Sequence, residues 1–377
     1  MSAFTFETTP RIICEQGGAD RLGALARSLG ARHVFLVTDQ PLVQTGLLKS
    51  ALASLQDAGL AASVYSDVQP DPPEDRVLAA VQAARACGAD AVVGFGGGSS
   101  LDTAKLVALL ARTPAALPEI YGVGLAKGPR LPLVQVPTTA GTGSEVTPIA
   151  IVTTPSAEKK GVVSPLLYPD VALLDSRLTL GLPPRLTAMT GIDAMVHAIE
   201  AFTSRHKKNP VSDALALQAL ALLYANQRTV LHEPRNGAAR EAMLLGSLLA
   251  GMAFANAPVA AVHALAYPLG GHFHVPHGLS NALVLSPVLR FNLASAAPLY
   301  ERLAESIDVP GGPQGFVHAM AALVAEMPFE QDLRSVGVGR DDLPRLAEDA
   351  LKVQRLLMNN PREVTLADAL ALYQEAY

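Results

Sequence analysis

Apolar residues in the first half of the chain come in short unbroken runs and not in alternation. Residues 33–38, His-Val-Phe-Leu-Val-Thr, end at Asp39. Residues 89–95 lead into Gly96-Gly97-Gly98-Ser99-Ser100, and residues 131–136 lead into Pro137 and a stretch rich in hydroxyls. A continuous run of this length predicts a strand covered on both faces, as in a parallel sheet. Further strands are expected at 4–6, 11–15 and 62–66, at Val162 and Val163, and at 171–174. Helical spacing over 47–58 and 74–87 falls between them, and a helix is expected after Gly17-Gly18. Strands alternating with helices at this spacing predict a nucleotide-binding α/β domain.

From about Leu180 the strand-like runs stop and long Ala/Leu stretches take over, opened by Pro183-Pro184. Helices are predicted over 191–202, 212–226, 240–255, 295–306, 314–326, 343–357 and 366–376, the last capped by Thr365 with Asp368. An α/β domain is therefore expected over 1–180 and an all-helical domain over 181–377. Residues 242–271 contain no Lys, Arg, Asp or Glu, which exceeds the roughly 20 apolar residues a bilayer requires. Asn256 and Pro258 interrupt that run and no basic residues flank it in the expected way, so it reads as two buried helices with a break and not as a membrane span.

Composition narrows the function classes. With 377 residues, one core is not enough, which agrees with two domains. The net charge of −5 gives no electrostatic case for nucleic acid or anionic membrane. Cys14 and Cys87 form neither a CxxC pair nor a disulfide framework, and the first ten residues lack the apolar core of a signal peptide. A reducing cytoplasm is the expected location.

Four groups of residues carry candidate chemistry. Gly96 to Ser100 follows a strand and precedes a helix that includes Asp102, so backbone N–H groups there can face a phosphate; a plain tight turn is the competing reading. Asp39 ends a strand where an acid can accept from a ribose hydroxyl and repel a 2′-phosphate, or simply cap the next helix. Thr138, Thr139, Thr142 and Ser144 supply hydroxyls suited to the pyrophosphate or nicotinamide end of a dinucleotide, with Glu145 behind them. The fourth group is metal-like. Asp193 and His197 are four apart on an apolar helix, so they share a face, as either an internal hydrogen bond or two ligands. His263 and His277 bracket a Pro- and Gly-containing segment able to bend back and add two more. Three imidazoles and a carboxylate suit Fe(II) or Zn(II) and not calcium or magnesium. His272 and His274 could line the same pocket or face solvent.

Four segments taken together resemble the iron-containing (group III) alcohol dehydrogenase family: GGGSSLDTAK at 96–105, PTTAGTGSEVT at 137–147, GIDAMVHAIEAF at 191–202, and GMAFANAPVAAVHALAYPLGGHFHVPHGLSNA at 251–282. The resemblance extends over nearly the whole chain. It implies a dinucleotide-binding α/β domain followed by an all-helical metal domain, the architecture shared with dehydroquinate synthase. It implies hydride transfer between NAD and a small alcohol or carbonyl compound, with Fe(II), Zn(II) or another divalent ion. The implied metal ligands are Asp193, His197, His263 and His277. The implied cofactor residues are Asp39, the loop of Gly96, Gly97, Gly98, Ser99 and Asp102, and Thr138, Thr139, Thr142, Ser144 and Lys160, while Phe254 falls at a position beside substrate and nicotinamide. Members of the lactaldehyde reductase kind often carry a histidine four residues after the third metal ligand, and Tyr267 stands there in this chain. Proton transfer is then expected through Tyr267, His272, His274, or water and the ribose. A hydroxy-acid dehydrogenase of the 4-hydroxybutyrate type is the alternative within the family, and a dehydroquinate synthase-like lyase the remoter one. A homodimer or larger homo-oligomer is expected.

Overall fold

The computed structural model describes residues 3–156 and 158–377, which divide into two compact units. Thr8–Gly181 form an α/β unit, and Leu182–Tyr377 form a helical unit joined by residues 3–7. That last grouping departs from a first domain starting at residue 1. Asn256 explains it, because its side chain accepts from Glu7 N and donates to Glu7 O, both at 2.8 Å. The strand expected at 4–6 does not form.

Among the described residues the α/β unit contains strands β1 (Ile12–Cys14), β2 (His33–Val37), β3 (Ala61–Tyr65), β4 (Ala91–Gly96), β5 (Gly122–Val123), β6 (Leu133–Pro137), β7 (Ile149–Thr153), β8 (Lys159–Val163) and β9 (Val171–Leu174). Six of them form an all-parallel sheet in the order β1-β9-β6-β4-β2-β3. Helices α1 (Leu22–Ser28), α2 (Gln40–Thr45), α3 (Lys49–Asp57), α4 (Glu74–Ala86) and α5 (Gly98–Leu110) cover it. The unbroken apolar runs have the anticipated cause. Val34 and Leu36 of β2 enter one core cluster while Phe35 and Val37 enter the other, so both faces of the sheet are buried. β5, β8 and β7 form a separate small sheet, with β7 antiparallel to β8. Val162 and Val163 thus belong to a different sheet from 171–174.

The helical unit is built from α6 (Pro184–Thr203), α7 (Pro210–His232), α8 (Gly237–Asn256), α9 (Ala261–Phe273), α10 (His277–Ser306), α11 (Gly312–Ala325), α12 (Leu343–Leu351), α13 (Gln354–Leu357) and α14 (Leu366–Ala376). The uncharged run becomes α8, a break and α9. By length and composition α8 and α10 could each cross a membrane, but about half of each apolar window is buried inside the unit, as in core helices. Two expectations change. α10 begins at His277, eighteen residues before the predicted start at 295, and runs through Pro287 and Pro298. The stretch 343–357 is two helices. Thr365 and Asp368 do form a reciprocal cap on α14.

α10 approaches α6 closely because residue 278 has no side chain. A Cβ on Gly278 would run into the Met189 carbonyl oxygen of α6. Gly278 directly follows His277, so this contact fixes where that imidazole starts. Replacing Gly278 with Val should cost about 1–3 kcal/mol through overpacking, measured by urea denaturation. An unchanged midpoint would show that the two helices can separate freely.

Candidate metal centre and cofactor loops

Residues 191–203 are all buried with the exception of none, so α6 carries Asp193 and His197 in the interior of the helical unit, 2% and 5% exposed. His263 sits in the first turn of α9 and His277 is the first residue of α10. The segment between them is therefore helical for most of its length, with Pro268 inside it, and not the loop expected from its Pro and Gly content. Each of the four side chains offers one ligand atom, and these atoms lie within 4.8 Å of one another. The His197 and His263 rings stack at 4.8 Å, and His263 and His277 are 5.3 Å apart.

Burial alone would raise the Asp193 carboxyl, but His197, His277 and His263 and a hydrogen bond from Asn281 outweigh it and hold it below the ordinary carboxylate range. The group is thus an anion among nitrogen donors. One carboxylate and three imidazoles suit a divalent first-row ion, and the side chains present fit such an ion.

Glu200 was missed from the sequence, although it is a second acid on the same apolar helix, three residues after His197. Its Oε1 accepts from Val262 N at 2.7 Å, and its Oε2 accepts from Ala260 N at 2.9 Å and lies 2.6 Å from His263 Nδ1. A carboxylate only accepts, so His263 carries its proton on Nδ1 and presents the Nε2 lone pair. Glu200 also satisfies the start of α9, which has no side-chain cap of its own. Asn281, one turn after His277, was missed as well; its Nδ2 is 2.6 Å from Asp193 Oδ1.

Phe254 stacks on His197 at 4.2 Å, and the Tyr267 ring centroid is 6.3 Å from that of His277. Both expected pocket residues therefore border the cluster. His272 is engaged elsewhere: Asp349 Oδ2 lies 2.6 Å from its Nε2 and Arg345 Nη2 2.8 Å from its Nδ1, which ties α9 to α12. His274 is the exposed C-cap of α9, with φ of 54°.

In the α/β unit the glycine loop and the hydroxyl loop face each other. A Cβ on Gly98 would meet Thr142 Cγ2 at 2.8 Å, and one on Gly97 would lie 3.6 Å from Thr139. Gly96 has φ of 153°, a conformation that L side chains rarely adopt. Thr138 is buried, and its N–H donates to Gly96 O. Ser99 lies in the first turn of α5. Asp102 and Ser144 serve each other: Ser144 Oγ donates to Asp102 Oδ1 at 2.6 Å, and Asp102 Oδ2 accepts from Ile151 N at 2.9 Å. Asp39 does cap α2, accepting from Leu42 N at 3.0 Å, and burial raises its carboxyl against that bond. Lys160 lies on β8, 3.5 Å from Glu158 and 6.0 Å from the Tyr121 ring centre.

Residues 9–176 match the family model for iron-containing alcohol dehydrogenase, and residues 187–377 match the C-terminal model of the same family. The chain belongs to the iron-containing alcohol dehydrogenase family. It is 38% identical to long-chain-alcohol dehydrogenase 1 of Geobacillus thermodenitrificans, over 96% of this chain and 93% of that one. It superposes on the crystal structure of a 1,3-propanediol oxidoreductase with a TM-score of 0.96 and 34% identity, covering both chains fully. A sulfoacetaldehyde reductase from Bifidobacterium kashiwanohense in complex with NAD+ gives 0.92 and 28%, covering 100% of this chain and 99% of that one. The protein is an oxidoreductase that links NAD(H) to alcohols and aldehydes with a metal ion, which sets the lyase reading aside.

Glu200→Gln should place an amide N–H against donors already aimed at the carboxylate. The expected loss is about 1–3 kcal/mol of stability, read by urea denaturation, with metal affinity weakened roughly 10–100-fold. Wild-type metal affinity in this variant would rule out an orienting role for Glu200.

Proposed function

We propose that Asp193, His197, His263 and His277 hold one divalent ion, Fe(II) or alternatively Zn(II), at which a small alcohol or aldehyde is oxidised or reduced. The observation that carries this reading is the convergence of four ligand atoms, from α6, α9 and α10, within 4.8 Å. When bound, such an ion supplies Lewis-acid polarisation of the substrate oxygen. The side chains do the rest. A set with one negative charge leaves a divalent ion net positive, so polarising power survives ligation. Phe254, stacked flat on His197, presents an apolar wall for the substrate carbon chain. Tyr267 is the proposed proton carrier at its phenolic oxygen, since His272 is held by Asp349 and Arg345.

NAD is proposed to lie along the glycine and hydroxyl loops. Gly97, Gly98 and Ser99 at the start of α5 would meet the pyrophosphate, because backbone N–H groups at a helix start attract an anion. Thr138, Thr139 and Thr142 border the same loop, with Asp102 and Ser144 holding its shape and Lys160 nearby on β8. Asp39, fixed at the end of β2 by its cap, would accept from the adenine ribose and repel a 2′-phosphate. A neutral short-chain alcohol or aldehyde is the proposed substrate class, the cytoplasm the proposed location, and a homodimer or larger assembly the proposed state. Exposed Val123 and Leu125 at the edge of the small sheet support association, and light scattering giving a monomer mass would reject it.

The reading is tested by NADH formation from a panel of short alcohols after loading with Fe(II) or Zn(II). His263→Ala should lose bound metal and turnover together, on the order of a thousandfold in rate, equivalent to several kcal/mol of stabilisation removed. NADP in place of NAD should be the poorer cofactor for the wild type. Turnover retained in a metal-free His263→Ala protein overturns the ligand assignment.

A further inference from the structure

We propose that Asn281 is a positioning residue of the metal centre, holding Asp193 in the orientation that ligation requires; this rests on the ligand set proposed above. Asn281 lies on α10 one turn after His277, and it is fully buried. Its Nδ2 is 2.6 Å from Asp193 Oδ1, 3.3 Å from His263 Nε2 and 3.4 Å from His277 Nε2. One amide nitrogen therefore borders ligand atoms from three helices.

The way round of the amide follows from its neighbours. Reversed, it would press Oδ1 against a carboxylate oxygen at 2.6 Å, two acceptors with no proton between them. As placed, the nitrogen donates to an anion, a charge-assisted bond that fixes one carboxylate oxygen. When the imidazole lone pairs are turned to a metal they can no longer accept from Nδ2, and Asp193 remains its acceptor. The arrangement carries a cost, because Asn281 Oδ1 is buried without a hydrogen-bond partner. The contacts of this one amide nitrogen with ligand atoms of α6, α9 and α10 point to the site as the reason for asparagine here.

The test uses the full chain stripped of metal, titrated with Zn(II) against a chromophoric chelator, with thermal melting of the same apo samples. Asn281→Leu removes both the donor and the orphaned oxygen. Its Zn(II) Kd should weaken about 10–100-fold, and its apo melting temperature should fall because the buried Asp193 carboxylate loses a donor. Asn281→Asp puts an acceptor and a like charge beside Asp193, so its Kd should weaken at least as much. An unchanged Kd in Asn281→Leu overturns the proposal, as does tighter binding in Asn281→Asp, which would make residue 281 a direct ligand. Asp193→Ala keeps the two levels apart. If it loses Zn(II) while Asn281→Leu does not, the positioning role fails and the ligand set stands. If Asp193→Ala binds as wild type, the ligand set itself fails.

Discussion

Asp193 is 2% exposed, and an ionised carboxylate so far from water persists only beside positive charge or strong donors. Three imidazoles and the Asn281 amide meet that demand, and meeting it dictates how the helical unit packs. α6 brings Asp193 and His197 inside by being buried along the whole stretch 191–203. α10 must start hard against α6, which Gly278 permits. α9 must start beside both, and Glu200 secures that start by accepting two of its backbone N–H groups and the His263 ring proton. Two of the four ligands, His263 and His277, sit at helix starts whose places are set by contacts with α6. Ligands at such places are held more tightly than ligands on a free loop.

Much of this was legible in the chain. The unbroken runs at 33–38 and 89–95 specified strands with two covered faces, and the split of β2 between two core clusters shows why polar alternation was absent. The Asp193/His197 spacing gave a shared helix face, and His263 and His277 join that face in space. Asn281 was also within reach, since it repeats the same four-residue spacing after His277, but an amide draws less notice than an imidazole. What was not legible comes from contacts between distant segments. The sequence leaves His272 lining the pocket or facing solvent, and its partners, Asp349 and Arg345, lie more than seventy residues away, so no local pattern announces them. Likewise the helix expected to start at 295 starts at His277, and tertiary packing carries α10 through Pro287 as well as Pro298.

A carboxylate that ties two elements by accepting backbone N–H from a second segment is a device both units share. In the helical unit Glu200 ties α6 to α9. In the α/β unit Asp102 ties α5 to the hydroxyl loop and to β7, taking Ser144 Oγ on one oxygen and Ile151 N on the other. Behind it Lys105 is fully buried, donating to Thr147 Oγ1 at 3.1 Å and to Ile149 O at 2.7 Å. Burial pushes that amine below the ordinary lysine range, with Asp102 and Glu145 opposing the shift. Glu145, also buried, is raised to about 7 by the same loss of water. Such groups are costly where an apolar side chain would pack as well. Their distribution argues that they hold geometry: each one anchors the segment next to a proposed ligand or phosphate contact. Glycine at 97 and 98 keeps the loop open to an anion, and a loop without side chains needs its shape imposed from behind. Asp102, Ser144 and Lys105 impose it, much as Glu200 and Asn281 constrain imidazole and carboxylate in the other unit.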